Sequence, residues 1–261
     1  MENIKILIIV PTLNASKYLE RLTIALNKQV FQNWRVLFID GESEEKHRNW
    51  IINFCRKNSK FNWMQQSKES IGIYGAMNNG IVNANANEWL LFWGADDYPA
   101  SNETLLYLVK RMEKYNYESL DLIVGNGKYI SMNNVVNRKA SFIDFHKDFL
   151  IENFKKFLFL GHCPPHQCTL FSNRLFNFKS FYNTNFKLAA DLDYFLSIRN
   201  KKDLKVLNLN LDIVRMGDAG ISAKNTLQRL REVANVYWKA YKLFWIFPFI
   251  FRYFFRVIKL I

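Results

Sequence analysis

KILIIVPTLNASKYLERLTIALNKQVFQNWRVLFIDGES, residues 5–43, decides the fold. An apolar run over residues 4–10 has strand length and stops at Pro11. Residues 15–29 read as a helix, and residues 34–39 form a second strand-length run that ends in Asp40 and Gly41. Strand, helix and strand in so short a span make a βαβ unit, whose two strands run parallel. The alternation continues outward, with strands at 61–64, 88–93 and 120–124 and helices at 43–57, 73–84 and 101–115. Asn14 and Ser43 stand at N-cap positions, and Glu44 and Glu45 fall in a first turn, where the helix dipole favours acids. This order predicts an α/β fold, a mostly parallel central sheet with helices on both faces.

Beyond residue 125 the pattern loosens. A hairpin is expected from 128–130 and 135–137 around Met132, Asn133 and Asn134, then a helix near 145–158. A strand at 168–171, a helix at 189–199 and a strand at 205–209 follow. No linker composition interrupts residues 1–222, which read as one domain with 223–261 as a tail. The tail expectation is a charged helix over 224–242 and then an aromatic segment, in which 11 of residues 237–261 are Phe, Trp or Tyr. Its longest uncharged run, 243–251, is nine residues and contains Pro248, too short to cross a bilayer. On a helical wheel Lys242, Arg252, Arg256 and Lys259 share one side, the pattern of a helix lying in a membrane interface with its bases on anionic headgroups.

The charge balance agrees with that placement. The 261 residues carry 36 Lys or Arg against 23 Asp or Glu, a net +13, and residues 199–261 hold 13 bases against 4 acids, a net +9. Basic charge suits an acidic substrate, a nucleic acid or an anionic membrane surface. No DNA- or RNA-recognition motif is present, so no nucleic acid partner is expected. At 49% hydrophobic and 23% charged, the composition excludes wholesale disorder. Cys55, Cys163 and Cys168 cannot build a disulfide framework, and no signal-peptide pattern opens the chain. A cytoplasmic protein, peripheral at the inner face of the cytoplasmic membrane, is expected.

In open α/β sheets ligands bind beyond the carboxyl ends of the strands. Pro11-Thr12-Leu13-Asn14 follow the first strand, Asp40-Gly41-Glu42-Ser43 the second and Gly94-Ala95-Asp96-Asp97 the fourth. Two adjacent carboxylates repel a diphosphate unless Mg²⁺ or Mn²⁺ sits between them. A lone strand-end Asp such as Asp40 can accept the N–H of a nucleobase. Neither a P-loop nor a G-x-G-x-x-G fingerprint occurs.

Six motifs in order extend the pattern: PTLNA after the first strand, "DG-S" after the second, GIYGAMNNGI at 72–81, WGADDY at 93–98, PHQCTLF at 165–171 and AADLDYFL at 189–196, with DAGIS at 218–222 closing the series. Over residues 4–222 the chain resembles the family 2 glycosyltransferases of the GT-A fold, in the bacterial cell-surface polysaccharide branch. The resemblance implies an inverting, metal-dependent enzyme that takes a sugar from a nucleotide-sugar, a UDP-sugar first, to a lipid-linked or oligosaccharide acceptor. It implies that Pro11, Thr12, Asn14, Asp40 and Asp96 bind the nucleotide, with Asp40 on the base. Asp97 would bind Mn²⁺ or Mg²⁺, Asp191 would be the general base, and Tyr74, Asn78, His166 and Gln167 would contact donor or acceptor. Inverting transfer is a single displacement that needs a base and a stabilised leaving group, hence acids in two places. The chain departs from the branch at Ser70 and Ala190, where acids are usual, at Gly75 and Ala95 in place of Asp, and at Asp218 in place of Gly.

Three other readings compete. One is an inactive nucleotide- or membrane-surface-binding module on the same fold. A HAD-like phosphatase is suggested by Phe38-Ile39-Asp40-Gly41, but Phe38 stands where the nucleophilic Asp belongs. His162, Cys163, His166 and Cys168 invite a zinc site, although two prolines break the usual ligand spacing.

Overall fold

A computed structural model describes residues 3–131, 133, 135–179, 181–217 and 225–258, with the backbone alone at 255–258. The DAGIS motif at 218–222 lies outside these residues. The chain runs β1 (Lys5–Thr12), α1 (Ser16–Asn27), β2 (Trp34–Asp40), α2 (Glu45–Lys57), β3 (Phe61–Gln65), α3 (Ile73–Val82), β4 (Glu88–Phe92), β5 (Tyr98–Pro99) and α4 (Thr104–Lys114). There follow β6 (Leu122–Ile130), β7 (Val136–Ala140), β8 (Phe149–Ile151), α5 (Phe154–Phe159), β9 (Thr169–Ser172), α6 (Asn173–Phe178), α7 (Ala190–Ile198), β10 (Val206–Gly217), α8 (Thr226–Tyr241) and α9 (Ile246–Ile258).

One sheet takes the order β3-β2-β1-β4-β9-β6-β10-β5, with β7 on β6 and β8 on β10. The strands β3, β2, β1 and β4 are parallel, as are β6 and β10, while β9 runs antiparallel between β4 and β6. Alternation along β1 divides the core in two. Leu7 and Ile9 join α3, α6, α7 and α8 on one face, and Ile6, Ile8 and Val10 meet α1, α2 and α4 on the other. Burial on both faces is why β1 reads as an unbroken apolar run.

Three local expectations are corrected. Asn14 and Ser43 do not cap their own helices: Asn14 Oδ1 accepts the Glu44 N–H (2.8 Å) and Ser43 Oγ accepts the Asn14 N–H (2.8 Å), so the two loops are laced to each other. The helix expected at 145–158 is only α5, because Phe149–Ile151 pairs with β10 instead. The strand expected at 205–209 continues to Gly217, with register shifts between Asn208 and Val214.

The tail packs on the body of the molecule. From α8, Val233, Val236 and Tyr237 enter the same core as Ala189, Ala190 and Phe195. Along α9, Trp245, Phe249 and Tyr253 line its rim. Arg252 does not stay on a headgroup-facing stripe. It turns inward toward Gly161, whose φ of +81° and missing side chain admit the α9 backbone; a Cβ there would lie 2.3 Å from the Arg252 nitrogen. The face left exposed is apolar instead, carrying Leu243, Phe244, Phe247, Ile250 and Phe254. Among the described residues, no helix is long and apolar enough to cross a membrane.

Candidate active site

Parallel register sets Thr12 beside Asp40, and so joins the ends of β1 and β2. Asp40 has no exposed surface. Its carboxylate accepts the Thr12 hydroxyl (3.3 Å), the Ser43 hydroxyl (2.5 Å) and the Ser43 N–H (3.1 Å). His47 Nε2 lies 3.4 Å away, with its pKa lowered by burial against the opposing pull of Asp40. Pro11 is half-buried and Asn14 exposed beside this cluster, and Asn14 takes a φ of 50° to make the turn. The expected nucleobase contacts therefore share one strand-end shelf, with Asp40 occupied by its own neighbours.

Next to the shelf, Gln66 donates through Nε2 to the carbonyls of Gly72 (2.7 Å) and Ser70. A Cβ on Gly75 would lie 1.9 Å from the Ser70 carbonyl oxygen. The departure at Gly75 thus has a packing reason, since the loop before α3 closes onto the helix only without a side chain there, whereas nothing in this contact explains Ser at position 70.

Beyond β4 the two carboxylates diverge. Asp97 is 2% exposed and accepts the Gly94 N–H at 2.6 Å, whereas Asp96 is half-buried. Burial, and then the charge of Asp96, hold the Asp97 carboxyl well above the usual carboxylate range. Glycine at 94 and 217 leaves the space around them; a Cβ on Gly217 would sit 2.0 Å from Asp96 Oδ2. Arg21 stacks on Tyr98 and donates to the Asp96 carbonyl at 3.2 Å.

The end of β4 also meets the catalytic side expected around Asp191. Trp93 Nε1 donates to the Gln167 carbonyl (3.0 Å), and the Phe92 ring packs against His166 and Tyr182. His166 is enclosed by Phe92, Phe171, Tyr182 and Phe195, hydrogen-bonds the Tyr182 hydroxyl at 2.8 Å and has its pKa lowered to about 4 by burial. Tyr182 packs on Tyr74, whose hydroxyl donates to Asp191 Oδ1 at 3.4 Å. Burial raises both phenols well above their ordinary range, so Tyr74 is a donor to Asp191 at neutral pH. Asp191 is half-buried in the first turn of α7, where Oδ1 also accepts the Leu192 N–H at 2.8 Å. Asn78 faces inward, gripping the Tyr182 backbone through both amide groups (2.9 Å each), so it serves the site by fixing Tyr182. Gln167 is half-buried at the turn.

Residues that the sequence patterns passed over are Tyr182, Gln66 and Glu232. Glu232 carried a signal, as the only acid in residues 224–261. Its Oε2 accepts the N–H groups of Leu188 (2.7 Å) and Ala189 (3.1 Å), just before α7. The alternative zinc set does not assemble. Among the described residues no three His, Cys, Asp or Glu side chains cluster as metal ligands, and Cys168 is buried against Gly127.

The site thus brings together a parallel strand-end shelf, a carboxylate pair one strand over and a carboxylate in the first turn of α7. Residues 7–182 match the family described as Glycosyl transferase family 2, and the chain belongs to that family. A PGL/p-HBAD biosynthesis glycosyltransferase of Mycobacterium tuberculosis is 28% identical over 190 residues, which cover 72% of this chain and 66% of that protein. The UDP-Glc:alpha-D-GlcNAc-diphosphoundecaprenol beta-1,3-glucosyltransferase WfgD of Escherichia coli is 25% identical over 138 residues, 53% of this chain and 51% of that protein. In fold, the chain is similar to S. aureus TarS 1–349, solved with UDP-GlcNAc, at TM-score 0.66 and 19% identity over 91% of this chain and 68% of that one.

Proposed function

We propose that the chain is an inverting, metal-dependent glycosyltransferase that moves a sugar from a UDP-sugar to a lipid-linked or oligosaccharide acceptor in cell-surface polysaccharide synthesis. The observation that carries this reading is the junction at β4. Its carboxyl end bears Asp96 and Asp97, and its last residues touch the turn that leads through His166, Tyr182 and Tyr74 to Asp191. This chain of contacts supports leaving-group and base chemistry on neighbouring elements.

Pro11, Thr12 and Asn14 form the nucleobase shelf, and Asp40 takes the base N–H when the Thr12 or Ser43 hydroxyl turns away. The residues beyond β4 fit a divalent cation. Their donors are hard carboxylate oxygens, and Asp97 is a buried carboxyl whose neighbour Asp96 adds a second negative charge. Asp97, with Asp96 toward the ribose or sugar, would hold Mn²⁺ or Mg²⁺, which when bound neutralises charge on the diphosphate. Asp191 is held through Oδ1 by Tyr74 and Leu192, while Oδ2 accepts no hydrogen bond from a described residue. That oxygen takes the acceptor hydroxyl proton as the acceptor oxygen bonds to the anomeric carbon. The bond from that carbon to the diphosphate breaks, and UDP leaves. Gln167 would line the acceptor side, while His166 backs Tyr182 from within its aromatic cage.

The donor class is supported by the UDP-sugar named for the E. coli relative and bound in TarS, and the metal by the GDP-Man and Mn²⁺ in the mannosyltransferase PcManGT of Pyrobaculum calidifontis (TM-score 0.61, 13% identity, 90% of this chain and 64% of that one). The exposed apolar face of α9 would rest on the membrane that carries a lipid-linked acceptor, at the cytoplasmic side. The test is a thermal-shift panel of UDP, GDP, CMP and ADP with Mn²⁺ and with chelator. A Mn²⁺-dependent shift with UDP is expected, about 2.7 kcal/mol at a hundred times Kd. No shift with any nucleotide overturns the reading.

A further inference from the structure

We propose that Glu232, on the C-terminal helix α8, is a positioning residue for Asp191; the inference rests on the reading of Asp191 as general base. A helix start needs acceptors for its leading N–H groups, ordinarily supplied by an N-cap side chain or by an acid at the third helical position. α7 has neither. Its N-cap is Ala189 and its third residue is Leu192. Glu232, 43 residues further along the chain, fills the role from another helix, with Oε2 on the Leu188 and Ala189 N–H groups and Oε1 held by Gln228 Nε2 at 2.9 Å.

The grip is rigid. Glu232 is 9% exposed, and the neighbouring Val233, Val236 and Tyr237 anchor α8 in the core. Two turns later Lys239 pairs with Asp193 Oδ1 at 2.9 Å. α8 therefore holds the segment carrying Asp191 on both sides, two residues before it and two after. The negative charge of Glu232 also acts on Tyr74, the hydroxyl donor to Asp191. Around Asp191 the titratable and charged groups are Tyr74 from α3, His166 and Tyr182 beside it, Arg252 from α9, Glu232 from α8, and Asp193 with Lys239. Removing Glu232 thus alters both the position of the base and the charge around it.

The test compares the full chain with Glu232→Ala, Glu232→Gln and Asp191→Asn. UDP release from UDP-glucose and UDP-N-acetylglucosamine is followed with Mn²⁺ and water as acceptor, from pH 5 to 9. Glu232→Ala is expected to lower kcat about 10- to 100-fold with donor KM unchanged, as small misplacements of a base do. Glu232→Gln keeps a hydrogen-bond acceptor and removes the charge. It is expected to recover most of kcat while moving the acid limb of the profile to lower pH, by about half a unit or more. The inference is overturned if both variants stay within twofold of the parent with the acid limb unmoved, or if the loss only follows the folded fraction seen in thermal melts. Should Glu232→Ala fail to fold, the acid limb of Glu232→Gln decides. Wild-type turnover in Asp191→Asn would instead sink the reading of the base itself, whatever Glu232 does.

Discussion

His166→Gln should flatten the acid sensitivity of the fold. His166 lies in an aromatic cage with its Nε2 on Tyr182, and burial lowers its pKa from an ordinary 6.5 to about 4. The unfolded chain takes up that proton near pH 6.5, while the folded chain resists until about pH 4. Between those values the unfolded state binds more protons, so stability present above pH 6.5 is lost as pH falls. Integrated from pH 8 to pH 5, this one imidazole removes about 2 kcal/mol. At roughly 2–4 °C per kcal/mol for a domain of this size, the parent should lose about 4–8 °C more than the variant over that interval. Gln keeps a group able to bond Tyr182 and does not titrate. Differential scanning fluorimetry at pH 8, 7, 6 and 5, at constant ionic strength, reads the difference, from which His47 and the other titrating groups cancel. Parallel curves for the two proteins would refute a buried, neutral imidazole. The same argument makes His166 an uncharged hydrogen-bond partner at pH 7, so UDP affinity should change less than threefold in the variant.

Other outcomes follow from the geometry. Asp97→Asn should remove the Mn²⁺-dependent part of UDP binding by calorimetry while raising thermal stability in chelator, because a buried carboxyl beside Asp96 is relieved; unchanged Mn²⁺ dependence would move the metal elsewhere. Asp191→Asn should bind UDP normally and lose transfer by about 10²–10⁴, measured as single-turnover UDP release. Gly75→Ala should cost at least about 1–3 kcal/mol in urea unfolding and weaken UDP binding, since its Cβ meets the Ser70 carbonyl. Replacing Phe247 and Ile250 with Ser should release the protein from anionic vesicles without lowering Tm; vesicle binding that persists would leave the α9 face without a membrane role.

The parts of the fold legible in the sequence are those set by local period. β1 to β4 and α1 to α4 follow from apolar runs of four to seven residues and the helical stretches between them, and the strand-end residues Thr12, Asp40 and Asp97 follow from where those runs stop. Pairing across long separations was not legible. Tyr74 and Asp191 are 117 residues apart, and Asn78 holds Tyr182 over 104. Asn14 and Ser43 have the chemistry of caps, yet each found a partner in the opposite loop that suited it better than its own helix. Gly75 looked like a loss of donor contact and proved to be set by packing against the Ser70 backbone. Arg252 read as a headgroup ligand because a helical wheel shows angle and not depth; the α9 backbone seats against Gly161, and Arg252 donates to the carbonyl there.

The antiparallel insertion of β9 between β4 and β6 imposes an order of assembly as the chain is made. The four parallel strands β3-β2-β1-β4 are complete by Phe92, but the free edge of β4 gains its neighbour only when Thr169–Ser172 is available. β6, made earlier, can reach the sheet only through that same short strand. A nascent chain at roughly 5–20 residues per second therefore carries an unpaired, wholly apolar edge for several seconds. Slower synthesis would lengthen the exposure of Trp89–Leu91, and faster arrival of the β9 segment would shorten it.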